Sequence, residues 1–499
     1  MQRWLLRLSL WLSAATLVAC QSAPQSSATL SPPAPSQQAQ TMIEFELPLP
    51  TPARLFQHPL PEIYRLSNGL EVWYLHNPML PIVSMKVVFD GGSVTDSPEK
   101  AGRAALMAMM LKEGASGKSA QAISDAIEDL GAALYTSTSQ DSIIIDLQSL
   151  THYFPETLDI MADIWLRPDF PEDAFARLRR IWESSLVRRA SSPDHLAKLA
   201  GNRAFFGDDH PYAVSTEGYL DTLANISLDD IREQYARLLA PSRATFIATG
   251  NLAPSEFIAL LEARFGQLPL THTQNDIPAI PARDHQLSVT IVDKPNAPQT
   301  IIRISLPSTR ASDPKTLFFR LVNVPFGGTF TSRLMQNIRE DKGYSYGAYS
   351  VVAALRYDGF LLAESAVSSD VTGAALKEFI DEISRLGEGD FTEEEFERAK
   401  ATWQSETVQS FETQSGVLSI LLGLAFNRQS PDTVNAFVRR LPEMTLEDFN
   451  ALAREFPKMS QASITLVGDK ATILEQIREL NLPAPTYRDT QGFLIASEP

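Results

Sequence analysis

The chain repeats itself at a near-fixed distance, and that repeat constrains its architecture more than any single motif does. Phe170-Pro-Glu-Asp-Ala-Phe175, followed by Trp182, returns as Phe391-Thr-Glu-Glu-Glu-Phe396, followed by Trp403, an offset of 221 residues in both cases. Ser227-Leu-Asp-Asp-Ile231 returns as Thr445-Leu-Glu-Asp-Phe449, and Thr249-Gly250-Asn251 returns as Val467-Gly468-Asp469, both at 218. Three landmarks at nearly one spacing imply two copies of one domain. The first copy is placed at 44–265 and the second at 285–485, with a linker over 266–284 that contains Thr, Pro and Gln, and a tail over 486–499.

Within a copy both hydrophobic periods occur. Glu71 to His76, Ile82 to Phe89 and Ile143 to Leu147 read as strands, and Asn68-Gly69 as a hairpin turn. Ser119 caps a segment whose Ile123, Ile127 and Leu130 fall on one helical stripe, and Phe154, Leu158, Met161 and Trp165 repeat that stripe further on. Strands alternating with helices predict an α+β fold: two homologous domains, each a mostly antiparallel sheet with helices packed on one face.

The amino terminus reads as an export signal over 1–19. Arg3 and Arg7 precede an apolar run, Leu8 to Val18, too short to span a bilayer as a permanent helix. Leu17-Val18-Ala19-Cys20 closes it and resembles the lipobox of bacterial lipoproteins, so Cys20, the only cysteine, is expected to be lipidated and to anchor the chain to a membrane. Gln21 after that cysteine implies, by the same resemblance, the outer membrane of a bacterial envelope, facing the periplasm. Residues 20–43, dominated by Ser, Gln, Ala and Pro, lack the apolar surface to order themselves and are expected to act as a flexible tether. The formal net charge is −17, and two units more negative once Arg3 and Arg7 leave with the signal. Such a surface repels polyanions, so nucleic acid is excluded as a partner.

The order of several short motifs then carries a resemblance. Leu66-Ser67-Asn68-Gly69-Leu70, Phe89-Asp90-Gly91-Gly92-Ser93, His210-Pro211-Tyr212, Phe326 to Leu334 and Arg339-Glu-Asp-Lys-Gly-Tyr-Ser-Tyr346 follow one another as in the pitrilysin/insulinase family of zinc peptidases. The chain resembles the two-domain, bacterial and mitochondrial-processing form of that family, and the likeness covers nearly the whole mature sequence. It implies that the two copies make half of a clam-shell. Active members carry His-x-x-Glu-His on a helix, with a further Glu ligand downstream, to hold zinc and activate its water. Aligning Ala101-Gly102 with the family places Ala105 and Met109 at the two His positions, Ala108 at the Glu position, Ser185 at the third ligand and Leu178 at a supporting Glu. None of these side chains binds a metal, and Glu183 nearby reads as a solvated helix-face residue. Active members also pair an Asn-Ala dipeptide on a strand with substrate; Tyr135 and Thr136 replace it here.

No substitute site stands out. None of the seven histidines pairs with another at helical ligand spacing. A site assembled from distant loops stays open, with His195 and His210 beside Asp194, Asp208 and Asp209, although such Asp-rich loops are also turns and caps. No Gly-x-Ser-x-Gly elbow for serine catalysis is present.

In two-subunit members, one chain holds zinc and the other supplies an Arg and a Tyr seven residues apart. Arg339 and Tyr346 match that pair. The resemblance thus implies a chain inactive alone that binds no cofactor itself, whose partner is a zinc-bearing insulinase-like subunit acting on peptides or unfolded polypeptide. Two alternatives stand beside it. At the residue level, Arg339 pairs with Glu340 or Asp341 and Tyr346 is a half-buried strand aromatic. At the level of function, the chain is a non-enzymatic peptide-binding or scaffold lipoprotein with the peptidase fold.

Overall fold

The computed structural model describes residues 55–270, 280 and 283–495. The expected signal segment, Cys20 and the tether lie outside the described residues, as does much of the expected linker. Among the described residues no helix is long and apolar enough to cross a membrane.

The first copy runs β1 (Glu62–Arg65), β2 (Glu71–His76), β3 (Ile82–Asp90), α1 (Arg103–Met110), a two-residue ribbon of β4 (Gly114–Ala115) and β5 (Lys118–Ser119), α2 (Ala120–Asp129), β6 (Ala133–Thr138), β7 (Ser142–Leu150), α3 (Phe154–Leu166), α4 (Glu172–Arg189), α5 (Pro193–Phe206), α6 (Leu220–Ala224), α7 (Leu228–Leu238), β8 (Ala244–Gly250) and α8 (Pro254–Phe265). The second runs β9 (Ser288–Asp293), β10 (Gln299–Pro307), α9 (Thr316–Asn323), β11 (Ser345–Ala354), β12 (Gly359–Ser368), α10 (Thr372–Glu388), α11 (Glu393–Glu412), α12 (Gln414–Phe426), α13 (Thr433–Arg440), α14 (Leu446–Arg454), β13 (Ser463–Gly468), α15 (Lys470–Ile477) and β14 (Thr486–Arg488). Local chemistry sets several of these boundaries. The Ser119 hydroxyl accepts the Ala122 amide at the start of α2, while Ser227 and Thr445 form capping boxes with Asp230 and Asp448.

Each copy builds a six-stranded sheet. The orders β1-β2-β8-β3-β7-β6 and β14-β9-β13-β10-β12-β11 match strand for strand over five positions. Pairing is antiparallel except where β2 meets β8 and where β9 meets β13 and β14. The sixth strand differs between the copies. β1 pairs antiparallel with β2, whereas β14 runs parallel to β9, so Thr486–Arg488, at the start of the expected tail, belong to the second sheet. A three-residue strand has too short a period to be read from sequence.

Each copy's own helices pack on one face of its sheet, and the opposite face is covered by a helix from the other copy. On β2 and β8 the alternation is explicit: Val72, Tyr74, Phe246 and Ala248 enter the first core, while Trp73, Leu75 and Ile247 turn toward Val417, Leu418, Leu421 and Leu424 of α12. On the second sheet Val292, Ile301 and Val467 meet Leu196, Ala197 and Ala200 of α5. The first residues of α5 and α12 are 221 positions apart, so the exchange is reciprocal. Burial on both faces explains why the middle of β2, Val72 to Leu75, is apolar throughout. The two seams differ in chemistry. Leucines fill the α12 seam, each contributing about 1.5–3 kcal/mol. At the α5 seam, Gly201 lets Arg303 of β10 approach, since a Cβ there would lie 2.8 Å from its Cδ. Arg303 is bound by Glu364 of β12 at 2.7 Å and by Asn202 at 3.3 Å.

Candidate functional site

Helix α1 begins at Gly102, where φ is 94° and a Cβ would stand 2.7 Å from the Glu217 carbonyl oxygen, so no other residue fits there. Its first turn is satisfied from outside. The Asp96 carboxylate accepts the Gly102 and Ala104 amides, each at 3.2 Å, and the Gln234 side-chain amide at 3.1 Å, with Arg103 at 3.7 Å. Burial pushes the Asp96 pKa up to about 7 against the pull of those amides and of Arg103.

The predicted metal positions are all on this helix or on α4, which packs against it. Ala105 and Ala108 are buried and Met109 is half-buried against the first core. On α4, Leu178 is buried, Ser185 is half-buried and Glu183 is exposed. Methyl groups, one thioether and the Ser185 hydroxyl line the place where imidazoles and carboxylates would have to be, so these residues do not fit zinc. Among the described residues no three His, Cys, Asp or Glu side chains gather as a metal-binding group.

Among the described residues the histidines form no ligand set, although His210 and His285 neighbour each other beside Asp358. His58 stacks on Phe411 with ring centroids 4.4 Å apart, and His285 on Phe205 at 4.5 Å. Burial lowers the pKa of His195, beside Glu217 and Arg189, and of His210, beside Asp358 and Arg283. The His210-Pro211-Tyr212 motif is an interdomain latch: His210 Nδ1 accepts the Tyr212 amide at 3.0 Å and its ring stacks on Phe206. The Tyr212 hydroxyl donates to Asp141 at 2.6 Å and accepts the Tyr357 amide of the second copy at 3.2 Å. Beside it Arg356 reaches Asp90 at 2.9 Å. Two motifs quoted for the resemblance, those at Asp90 and at His210, therefore hold the copies together.

Strand β6 is the free edge of the first sheet, and Tyr135 stands on it 63 % exposed with the Lys112 ammonium 5.7 Å from its ring centroid. Thr136 is half-buried. The matching edge in the second copy is β11, and there the structure brings Arg339 and Tyr346 together. Arg339 lies in a π-helical segment, Met335–Asp341, and the amides of Gly343 and Tyr344 close the turn onto the carbonyls of Arg339 and Ile338. Gly343, at φ 63°, reverses the chain into β11. Tyr346 falls where the β11–β12 register slips between Ser345 and Ala348, an irregularity of the kind that re-aims a side chain. It is 89 % exposed, so it is not the half-buried aromatic of the alternative reading. The Arg339 guanidinium sits 4.9 Å from the Tyr346 ring centroid and 4.6 Å from that of exposed Phe330, and its Nε lies 3.2 Å from Glu340. The Glu340 contact anticipated from sequence thus coexists with the aromatic clamp. Phe330 belongs to a motif read from the sequence, but its part in that clamp was not legible there. Arg333 is structural: it binds Glu395 at 2.6 Å and Asp390, and lies 4.1 Å over the Phe391 ring.

Comparison with known proteins bears on the family and the fold. A family model described as "Insulinase (Peptidase family M16)" matches residues 71–208, and one described as "Peptidase M16 inactive domain" matches residues 225–402. The chain is 22 % identical over 398 residues to "Uncharacterized zinc protease YmxG" of Bacillus subtilis, covering 79 % of this chain and 94 % of that protein. It is 24 % identical over 418 residues to "Non-peptidase homolog YmxG" of Helicobacter pylori, covering 80 % and 92 %. A crystal structure described as a peptidase M16 inactive domain, from Pseudomonas fluorescens, superposes with a TM-score of 0.76 at 23 % identity, over 82 % of this chain and 98 % of that one. The chain belongs to the insulinase family, peptidase family M16, as a homologue that lacks the family's metal-site residues.

Proposed function

We propose that this chain is the non-catalytic, lipid-anchored subunit of a shared peptidase, in which Arg339 and Tyr346 complete the active site of a separate zinc-bearing chain that acts on peptides. The observation that carries this reading is the pairing of the two side chains on an exposed strand edge, with the Tyr346 ring presented almost wholly to solvent beside the guanidinium. A guanidinium offers several fixed donors to peptide carbonyls, and a phenol donates to an oxygen that gains charge. The metal and the base belong to the partner, because α1 offers neither. Anchoring through Cys20 would hold the assembly at the periplasmic side of a bacterial outer membrane.

Pull-down of the tethered protein should recover a chain carrying His-x-x-Glu-His and lacking the Arg/Tyr pair. In that assembly Arg339→Ala should lower peptide turnover on the order of a hundredfold, the scale of losing one transition-state donor, with assembly unchanged. Equal turnover in the variant would remove Arg339 from the site. A second reading, a non-enzymatic peptide-binding or scaffold lipoprotein, is favoured by the Glu340 contact, which gives Arg339 a partner within its own chain. It predicts an assembly without any zinc-bearing member.

A further inference from the structure

His210 is 2 % exposed and Tyr212 is fully buried, although they stand in and beside a single 3₁₀ turn, Pro211–Ala213. Around them is an apolar cluster shared by the copies, in which Val94, Phe205 and Phe206 of the first meet Phe360 and Leu362 of the second. His210 Nδ1 accepts the Tyr212 amide, so it carries no proton, and the one proton of the neutral ring sits on Nε2. That Nε2 is buried and has no hydrogen-bond partner among the described residues. A carboxylate oxygen of Asp358, in the β11–β12 turn, is 4.0 Å from it, beyond hydrogen-bond reach.

A second proton on this ring has one place to go. On Nδ1 it opposes the Tyr212 amide, donor against donor, and that bond has to break. The cation is then drawn toward Asp358 and over the face of Phe206, whose ring centroid is 4.8 Å away. Two other groups beside the ring work against it: Arg283, packed against Gly207, and His285, stacked on Phe205. On the far side of Tyr212, Asp141 holds the tyrosine hydroxyl and Asp90 holds Arg356. Burial outweighs Asp358 and keeps the His210 pKa below its ordinary 6.5.

We propose that His210 is an acid-operated catch between the two copies: a second proton on its ring breaks its bond to the Tyr212 amide and loosens the hold of Tyr212 on the β11–β12 turn. Tyr212 is the lever because its hydroxyl bonds Asp141 of the first copy and the Tyr357 amide of the second. The α5 and α12 seams do not include His210, so the change is confined to this turn. That turn ends β11, the strand whose other end carries Tyr346, and the catch operates whether or not Tyr346 serves a partner's site. The sign follows from a ring held neutral: its contribution to stability is full above about pH 6.5 and is lost as pH falls through the folded pKa. Asp141 acts in the opposite sense, since burial raises its pKa, so variants rather than the raw profile isolate His210.

Amide hydrogen exchange of the full chain from about pH 7.5 to about pH 5, corrected for the intrinsic pH dependence of exchange, tests the catch. The amides of Tyr212 and Tyr357 are expected to lose protection roughly tenfold at the acid end while those of β3 keep theirs. His210→Asn retains a side-chain oxygen at this N-cap position to accept the Tyr212 amide but does not titrate, and should abolish the acid loss. Asp358→Asn keeps an oxygen for the Gly359 amide and should move the midpoint about 0.5 or more toward lower pH, a result that stands even if His210→Asn does not fold. Equal protection at both ends in the parent, an undiminished acid loss in His210→Asn, its disappearance in His285→Gln instead, or an unchanged or raised midpoint in Asp358→Asn would overturn the proposal.

Discussion

Helices α1 and α9 hold corresponding places in the two copies and have equal length, yet they are put to opposite uses. In α1 every residue from Arg103 to Ala108 is buried, and Ala104, Leu106, Met107 and Ala108 enter the first core. In α9, Phe319, Leu321 and Val322 enter the second core while Arg320 lines a cavity with Glu406 of α11. A position committed to packing is chosen for volume. An exposed position such as Arg320 is under no such demand. By that criterion the first copy is packed as scaffold at the positions aligned with the family's metal ligands, whereas the second copy presents Arg320 and Tyr346 to solvent.

The contrast breaks most visibly at Met107. Its side chain is fully buried, so Met107→Ala should cost about 2–5 kcal/mol in chemical denaturation. A change below about 1 kcal/mol would show that α1 is not the packing element described here.

Asp96 gives a pH-dependent test of the same helix. Its folded pKa of about 7 lies above the ordinary 3.8, so between those limits the native state holds the proton more tightly than the unfolded chain. The group's contribution to stability is then fullest below about pH 4 and is lost as pH rises toward about 7. Measured against Asp96→Asn, the parent should lose on the order of 4 kcal/mol of stability across that window, and parallel curves would remove Asp96 as the titrating group. The smallest effect belongs to α9: Arg320 is exposed, so Arg320→Met should leave stability within about 0.5 kcal/mol. A large loss there would mean that Arg320 packs as Met107 does.

How much of this was legible beforehand depended on the length of the signal. The repeat, the strands at Glu71 and Ile82, and the caps at Ser119, Ser227 and Thr445 are periodic or local, and the structure places elements there. The reciprocal exchange of α5 and α12 was not legible, because a strand buried on both faces, such as β2, shows that it is covered without showing by what. The absent ligands at Ala105, Ala108, Met109 and Ser185 could be read once a family register was supplied, since an absence needs only alignment. Arg320 and Glu406 could not, because a lone charge on an amphipathic helix looks the same whether it faces solvent or a cavity. The Tyr346 clamp needed the strand irregularity and Phe330, which come together only in three dimensions.

Ala105, Ala108, Met109 and Ser185 offer no zinc ligand set, and metal analysis of the chain purified without any partner is the sharpest check on that reading. No stoichiometric zinc and no peptide cleavage sensitive to a chelator are expected. One zinc per chain, together with cleavage that a chelator abolishes, would contradict it.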